Sequence, residues 1–180
     1  MSLGVSGIIT PLPPVTLVLG GARSGKSRFA EGLLDGHPGR RVYLATAEIL
    51  DDEMAERVRL HKARRDADCR TVEEPLEIAE AIVAETAKGA AVLVDCLTLW
   101  LGNLMGKGKD VEAEIDRLVT AIGQFGGPVI FVSNEVGLGI VPDNPMARAF
   151  RDHAGRLHQA VAAKAESVFF VAAGLPLRMK

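Results

Sequence analysis

Short apolar runs alternate with longer amphipathic segments along the chain. The apolar runs predict buried strands, and apolar residues recurring every third or fourth position predict helices. The predicted strands cover residues 15–20, 41–46, 90–95, 128–133 and 167–172. The predicted helices cover residues 26–34, 51–65, 75–87, 97–105, 111–125 and 145–166. Residues 175–179 predict a last strand, antiparallel, at the sheet edge. This alternation predicts an α/β fold, a mostly parallel sheet with helices on both faces.

The length and composition favour one domain. A chain of 180 residues with 48% hydrophobic content can bury a sizeable core. No linker or internal repeat interrupts the pattern, so we predict a single domain over residues 16–180. Residues 1–15, MSLGVSGIITPLPPV, predict a flexible Gly/Pro-rich lead-in without the basic start of a signal peptide.

Charge and rare residues restrict the partners. A net charge of −2 gives no general attraction to nucleic acid, and 4% aromatic content offers few stacking surfaces. The two cysteines, Cys69 and Cys96, have neither metal-ligand spacing nor the number of a disulfide framework. No apolar run approaches the roughly 20 residues that span a bilayer. We therefore expect a cytoplasmic protein with no nucleic-acid partner and no membrane span.

A phosphate-binding loop lies between the first predicted strand and the first predicted helix. GGARSGKS, residues 20–27, fits G-x-x-x-x-G-K-[ST] at every fixed position. Backbone amides of such a loop hold phosphates, Lys26 reaches the β- and γ-phosphates, and Ser27 binds Mg²⁺. The predicted nucleotide contacts here are Gly20, Gly21, Ala22, Arg23, Ser24, Gly25, Lys26 and Ser27. An ordinary Gly-rich turn is the alternative, which the strand–loop–helix context disfavours.

Asp95 ends the predicted strand AAVLVD. A P-loop site needs an acid at the tip of a neighbouring strand, where it holds Mg²⁺ directly or through water. Asp95 could instead be the N-cap of the helix predicted from residue 97. The two motifs together predict a P-loop NTPase, RecA-like in outline, that binds a nucleoside triphosphate and Mg²⁺. They do not specify the reaction.

Several longer blocks resemble one family. They are GGARSGKSRFAE (20–31), YLATAEILDDEMAERVRLHKARR (43–65), TVEEP (71–75) and SNEVGLGIVPDNPMARAFRDHAGRLHQAVA (133–162). In this order they resemble the bifunctional adenosylcobinamide kinase / adenosylcobinamide-phosphate guanylyltransferase family of cobalamin biosynthesis. The resemblance implies that ATP or GTP phosphorylates adenosylcobinamide. GTP then donates GMP to that phosphate, giving adenosylcobinamide-GDP and pyrophosphate. It also implies a homotrimer.

The resemblance places a GMP-carrying histidine in the block RLHKARR, where His61 is the histidine present. Cations beside it disfavour the imidazolium form, so they would keep the ring nucleophilic and would also neutralise the triphosphate. The predicted nucleotide contacts in this block are Lys62, Ala63, Arg64 and Arg65. Periodicity alone allows another interpretation, in which His61 belongs to an apolar helix face with Leu50, Met54 and Val58.

The resemblance also places Thr46, Ala47 and Glu48, after the second strand, near the nucleotide. Glu73 in TVEEP matches a nucleotide-contacting position, and its carboxylate could accept from guanine N1–H and N2–H₂. Glu73 could equally be a solvated charge before a helix. Where the family usually has Asn, this chain has His158, which weakens a catalytic role there.

The long helix predicted at residues 145–166 has two faces. Arg148 and Asp152 share the polar one, which could line the corrinoid or a subunit contact, or carry a plain ion pair. Two rival functions remain open: a small-molecule kinase that leaves His61 idle, and a non-enzymatic nucleotide switch. The preferred kinase donor also remains open between ATP and GTP.

Overall fold

The fold is described from a computed structural model, in which residues 11–48 and 69–180 are described. One sheet runs through this part of the chain. Its strands are β1 (Val15–Gly20), β2 (Arg41–Ala45), β3 (Cys69–Glu73), β4 (Ala91–Asp95), β5 (Val129–Asn134), β6 (Ser167–Ala172) and β7 (Leu175–Arg178). They lie in the order β3-β2-β4-β5-β1-β6-β7. All neighbours are parallel except β6 and β7, which pair antiparallel. The predicted sheet and its antiparallel edge strand are confirmed.

Helices cover both faces of the sheet, as the alternation predicts. They are α1 (Lys26–Asp35), α2 (Ile78–Thr86), α3 (Leu97–Gly106), α4 (Val111–Ala121) and α5 (Pro145–Lys164). Successive strand residues point to opposite faces. On one face α1 packs with Val18 and Val132, and on the other α2 to α5 pack with Leu17 and Phe131. The strands that carry these residues are buried along both faces, which explains their continuous apolar sequences.

Strand β3 is absent from the sequence prediction. Its sequence, CRTVE, mixes polar and apolar residues, and none of its side chains is fully buried. It pairs in parallel with β2 alone within the described sheet and so forms an edge. An edge strand needs no apolar run on both faces, so the periodicity that reveals the central strands is missing here.

The predicted helix over residues 75–87 is wrong at its start. Helix α2 begins at Ile78, because Glu74 Oε1 accepts hydrogen bonds from the amides of Leu76 and Glu77 and turns the chain first. Pro75 therefore precedes the helix. The helix predicted over 111–125 is also too long, since α4 ends at Ala121 and a 3₁₀ turn follows over Ile122–Gln124. The helix predicted over residues 51–65 lies outside the described residues.

Candidate active site

The phosphate loop leaves the carboxyl end of β1 and leads directly into α1. Gly25 is the N-cap of α1 and has φ 94°, a backbone conformation that residues with a Cβ rarely adopt. The Gly25 carbonyl accepts from the Phe29 amide at 3.0 Å and begins the helical ladder. The amides at this helix end are the groups that bind phosphate in such loops. The motif therefore stands in its predicted context.

The turn between β6 and β7 supports this loop from one side. The Gly174 amide donates to the Ser24 carbonyl at 2.8 Å. A Cβ on Gly25 would lie 3.0 Å from Gly174 Cα, and a Cβ on Gly20 would lie 2.5 Å from the Val171 carbonyl oxygen. Glycine is required at both positions because backbone from β6 and its turn occupies the space.

The side chain of Lys26 folds against the phosphate loop and does not extend into solvent. Its side chain is largely buried, and Nζ donates to the Gly21 carbonyl at 3.2 Å. Ser27 follows it at the start of α1 and is partly exposed. An ammonium folded against the loop is placed to meet an incoming phosphate.

Asp95 lies at the carboxyl end of β4, with β5 between it and the phosphate-loop strand β1. Two strand spacings separate β4 from β1, or about 10 Å. Tyr43 Oη donates to Asp95 Oδ2 at 2.6 Å. Cys96, not Asp95, is the N-cap of α3, without a side-chain capping bond. The interpretation of Asp95 as a helix cap is therefore wrong. Its carboxylate lies at the edge of the sheet formed by the carboxyl ends of the strands.

The predicted contacts after β2 have separate environments. Thr46 is fully buried, and its hydroxyl donates to the Cys96 carbonyl and accepts from the Cys96 amide, both at 2.8 Å. This side chain joins the ends of β2 and β4. Ala47 is partly exposed. Glu48 pairs with Lys107, the C-cap of α3, at 3.3 Å.

Glu73 and Asp95 stand in one row of the sheet. Ala45 is in register with Glu73 on one side and with Asp95 on the other. Side chains in register on adjacent strands point to the same face, so both carboxylates are on the face that α1 covers. Glu73 is exposed at the end of β3. Its predicted guanine contact and its interpretation as a solvated charge both remain open on this geometry.

A buried polar network joins the ends of β4 and β5. Asn134, in register with Gly20, donates from Nδ2 to Thr98 Oγ1 at 2.9 Å. Thr98 Oγ1 lies 3.1 Å from Cys96 Sγ. Burial, and then the Asp95 carboxylate, raise the pKa of the Cys96 thiol. The thiol is therefore held neutral inside this network.

His158 lies within α5, against the end of β5. Its Nε2 lies 2.7 Å from Ser133 Oγ, and both side chains are buried. Burial lowers the pKa of His158, against a smaller opposite effect of Glu135. Arg148 donates to the carbonyls of Pro142 and Asp143. Asp152 pairs with Arg151 at 3.3 Å, so Arg151 rather than Arg148 is its ion-pair partner.

The residues present fit Mg²⁺ through oxygen donors. Ser27 offers a hydroxyl and Asp95 a carboxylate oriented by Tyr43, and hard oxygen ligands are what Mg²⁺ prefers. Within residues 11–48 and 69–180, no group of three or more His, Cys, Asp or Glu could hold a metal by itself. Two oxygen ligands from the protein, Ser27 and Asp95, suit a Mg²⁺ ion whose other ligands are phosphates and water.

Sequence reasoning missed Tyr43, Thr98, Asn103 and the structural role of Asn134. Tyr43 reaches Asp95 only through strand register, and Asn103 acts through contacts between a helix and two loops. No short motif encodes either relationship. His61, Lys62, Ala63, Arg64 and Arg65 lie outside the described residues, so their roles stay predictions.

Comparison with known structures supports the fold. A Pyrococcus horikoshii OT3 protein, from a structural study of Project ID PH0250, has a TM-score of 0.57 at 10% identity. The match covers 96% of this chain and 88% of that one. An ATPase from a bacterial type III secretion system has a TM-score of 0.58 at 11% identity, with 93% and 57% covered. At these identities the likeness shows the fold alone, and it agrees with the predicted α/β fold of a mostly parallel sheet with helices on both faces.

Sequence comparison identifies the family. The Pseudomonas aeruginosa bifunctional adenosylcobalamin biosynthesis protein CobP is 47% identical over 166 residues, which cover 91% of this chain and 96% of that protein. The Escherichia coli protein CobU, described in the same words, is 42% identical over 179 residues, with 91% and 98% covered. The model of the family described as cobinamide kinase / cobinamide phosphate guanyltransferase matches residues 16–179. The chain therefore belongs to the cobinamide kinase / cobinamide phosphate guanyltransferase family.

Proposed function

We propose that this chain carries out two consecutive reactions of cobalamin biosynthesis. It transfers a phosphoryl group from ATP or GTP to the hydroxyl of adenosylcobinamide. It then transfers GMP from GTP to adenosylcobinamide phosphate, giving adenosylcobinamide-GDP and pyrophosphate. This proposal rests mainly on the phosphate loop, which the turn between β6 and β7 holds in place. The family model matches the same chain over residues 16–179.

The kinase step uses the edge formed by β1, β5 and β4. The loop amides and Lys26 bind the β- and γ-phosphates, and they stabilise negative charge that develops on the transferred group. Ser27 and Asp95 would hold Mg²⁺, which supplies further charge neutralisation at the phosphates when bound. The substrate hydroxyl oxygen attacks the γ-phosphorus, the bond to the β-phosphate oxygen breaks, and the hydroxyl proton leaves to a base.

The guanylyl transfer step uses a covalent intermediate on His61. Its unprotonated ring nitrogen attacks the α-phosphorus of GTP, pyrophosphate leaves, and a phosphoramidate bond forms. An oxygen of adenosylcobinamide phosphate then attacks the same phosphorus, and the bond to histidine breaks. This divides one transfer into two easier steps. Lys62, Arg64 and Arg65 would balance the charge of the triphosphate and disfavour protonation of the ring.

The guanine base is proposed to bind toward β2 and β3. Thr46, Ala47 and Glu48 follow β2, and Glu73 ends β3 in the same row as Asp95. The Glu73 carboxylate can accept hydrogen bonds from guanine N1–H and N2–H₂. Four strand spacings, or about 19 Å, separate β1 from β3. This breadth is enough for the phosphates and the base to use different parts of one edge.

We propose a homotrimer that works in the cytoplasm. Exposed large apolar residues support self-association, since they leave apolar surface in water that a partner copy could cover. They are Leu138, Ile140, Val141 and Met146 near the start of α5, and Leu175, Leu177 and Met179 at β7. Cys69 and Cys96 are not joined in a disulfide, which suits a reducing compartment. No helix among the described residues is long and apolar enough to cross a membrane.

The two steps are tested by product analysis. Purified protein is incubated with Mg²⁺, ATP and adenosylcobinamide, and then with GTP, and the corrinoids are separated and weighed by mass spectrometry. We expect adenosylcobinamide phosphate first and adenosylcobinamide-GDP after GTP is added. Phosphate without the GDP adduct would reduce the function to a kinase. Nucleotide binding without either product would favour a nucleotide switch.

A further inference from the structure

We propose that Asn103 is a positioning residue for the guanine-binding side of the site. It lies on α3 and links the two segments that follow β2 and β3. In this role it sets the distance between the predicted nucleotide contacts at residues 46–48 and Glu73. The inference rests on the proposed function, because it concerns how that site selects guanine.

The side-chain amide of Asn103 bridges the two segments. Its Nδ2 donates to the Thr46 carbonyl at 2.7 Å and to the Pro75 carbonyl at 3.0 Å. An amide nitrogen carries two protons, so this one group uses both of its donors on two different segments. Thr46 begins the segment that contains Glu48, and Pro75 lies two residues beyond Glu73. A single side chain is therefore bonded to both halves of the predicted base site.

The same face of α3 makes two further attachments. Trp100 Nε1 donates to the Leu76 carbonyl at 2.7 Å, and Lys107 pairs with Glu48 at 3.3 Å. Asn103 lies three residues after Trp100 and four before Lys107, the C-cap of the helix, and residues at these spacings lie on one side of a helix. Trp100 reaches only the segment after β3, and Lys107 reaches only the segment after β2. Among these three side chains, Asn103 alone joins the two.

The Asn103 bridge joins the two segments beyond the point where the backbone pairing of β2 and β3 ends. The register of β2 and β3 ends at Ala45 and Glu73, and the Glu74 amide makes one more bond, to the Ala45 carbonyl at 3.0 Å. Beyond it the chains separate, Thr46 toward Cys96 and Pro75 toward α2. A carboxylate that binds guanine must lie within hydrogen-bonding distance of both N1–H and the exocyclic N2–H₂. Small displacements of such groups are costly. Asn103 supplies the link that the backbone lacks.

A merely structural bridge would have a different signature. Its loss would lower stability and would weaken GTP and its analogues alike. A positioning role predicts a lower selectivity for guanine, because a displaced Glu73 can no longer accept a hydrogen bond from the guanine 2-amino group. Inosine triphosphate lacks that group and is otherwise the same nucleotide. The ratio of GTP to inosine triphosphate binding therefore separates the two roles.

The experiment compares the wild-type chain with Asn103→Leu, which keeps side-chain size and removes both donors. Binding of GTP and of inosine triphosphate is measured by displacement of a fluorescent nucleotide, and covalent labelling by α-labelled GTP is measured beside it. We expect the half-saturating GTP concentration to rise about tenfold and the preference for GTP to fall about fivefold or more. ATP-dependent phosphorylation of adenosylcobinamide should change by less than about twofold.

Thr86→Val is the matched control, since it removes a buried hydroxyl that donates to the Ile82 carbonyl at 2.7 Å, outside the site. It should leave the nucleotide preference unchanged. Asn103→Gln keeps two donors on a longer side chain and should restore part of the preference. Asn103→Ala also removes both donors and replaces Asn103→Leu if that variant does not fold. A wild-type preference in folded Asn103→Leu, or in folded Asn103→Ala, overturns the inference. A wild-type chain that takes no label and does not prefer GTP overturns the proposed function instead.

Discussion

Tyr43 donates a hydrogen bond of 2.6 Å to Asp95 from the neighbouring strand. Tyr43 is in register with Leu93, so Asp95 is its diagonal neighbour, two residues further along β4. Diagonal neighbours on one face lie within reach of a long aromatic side chain. The phenol thus orients the carboxylate whose predicted task is to hold Mg²⁺ directly or through water.

Tyr43→Phe is expected to slow phosphoryl transfer. A hydrogen bond to a charged group is worth about 1.5–3 kcal/mol, and a partly exposed Asp95 recovers some of this from water. We predict a fall in kcat of about tenfold, with a smaller change in the KM for ATP. Steady-state kinetics of adenosylcobinamide phosphorylation measure both quantities.

Thr16→Val is the control for Tyr43→Phe, because it removes a buried hydroxyl that has no hydrogen-bond partner among the described residues. It should leave kcat unchanged. An unchanged kcat in Tyr43→Phe would show that Asp95 needs no orientation from this phenol.

Gly25→Ala is expected to damage both stability and nucleotide binding. The position has φ 94°, and a Cβ would lie 3.0 Å from Gly174 Cα. A strained backbone of this kind costs about 1–3 kcal/mol, which lowers the Tm of a chain of this size by several degrees. Differential scanning calorimetry and ATP binding measure the two effects.

Gly32→Ala is the matched change within the same helix. Gly32 is exposed in α1, and a Cβ there meets nothing within 4 Å. Alanine is better than glycine in a helix interior by about 1 kcal/mol, so this variant should gain stability. Equal Tm values for the two variants would contradict the strain assigned to Gly25.

His158 is expected to make stability depend on pH. Burial lowers the pKa of His158 in the folded chain, so between that value and the ordinary histidine pKa of about 6.5 only the unfolded chain binds the proton. The free energy of unfolding therefore falls as the pH drops through this window, and above it the residue contributes no pH dependence.

His158→Asn removes this contribution, because the asparagine amide does not titrate. Urea midpoints at pH 5.5 and pH 7.5 are compared for both chains. We predict that the wild type loses more stability than the variant on acidification. Equal losses would mean that His158 titrates alike in the folded and unfolded chains.

The central strands could be predicted from sequence because burial on both faces demands continuous apolar residues. VTLVLG of β1 and SVFFVA of β6 match their predicted bounds. Strand β3 could not be predicted in this way, since an edge strand carries the mixed sequence CRTVE. The start of α2 was misplaced because Pro75 suits a first helical turn, while Glu74 forms a turn that postpones it.

The candidate site divides in the same manner. The phosphate loop is predictable because consecutive residues form it, so one short motif identifies its phosphate-binding groups. Tyr43 beside Asp95, and Asn103 between two segments, depend on residues brought together from distant parts of the chain. Register and helix packing decide those contacts, and neither leaves a local pattern.

Covalent labelling of His61 tests the proposed guanylyl transfer most directly. The protein is incubated with Mg²⁺ and GTP labelled at the α-phosphate, denatured, and assayed for retained label. We predict label that is acid-labile and base-stable, that is absent in His61→Ala, and that is discharged by adenosylcobinamide phosphate. A wild-type chain that binds GTP but retains no label would contradict the histidine intermediate.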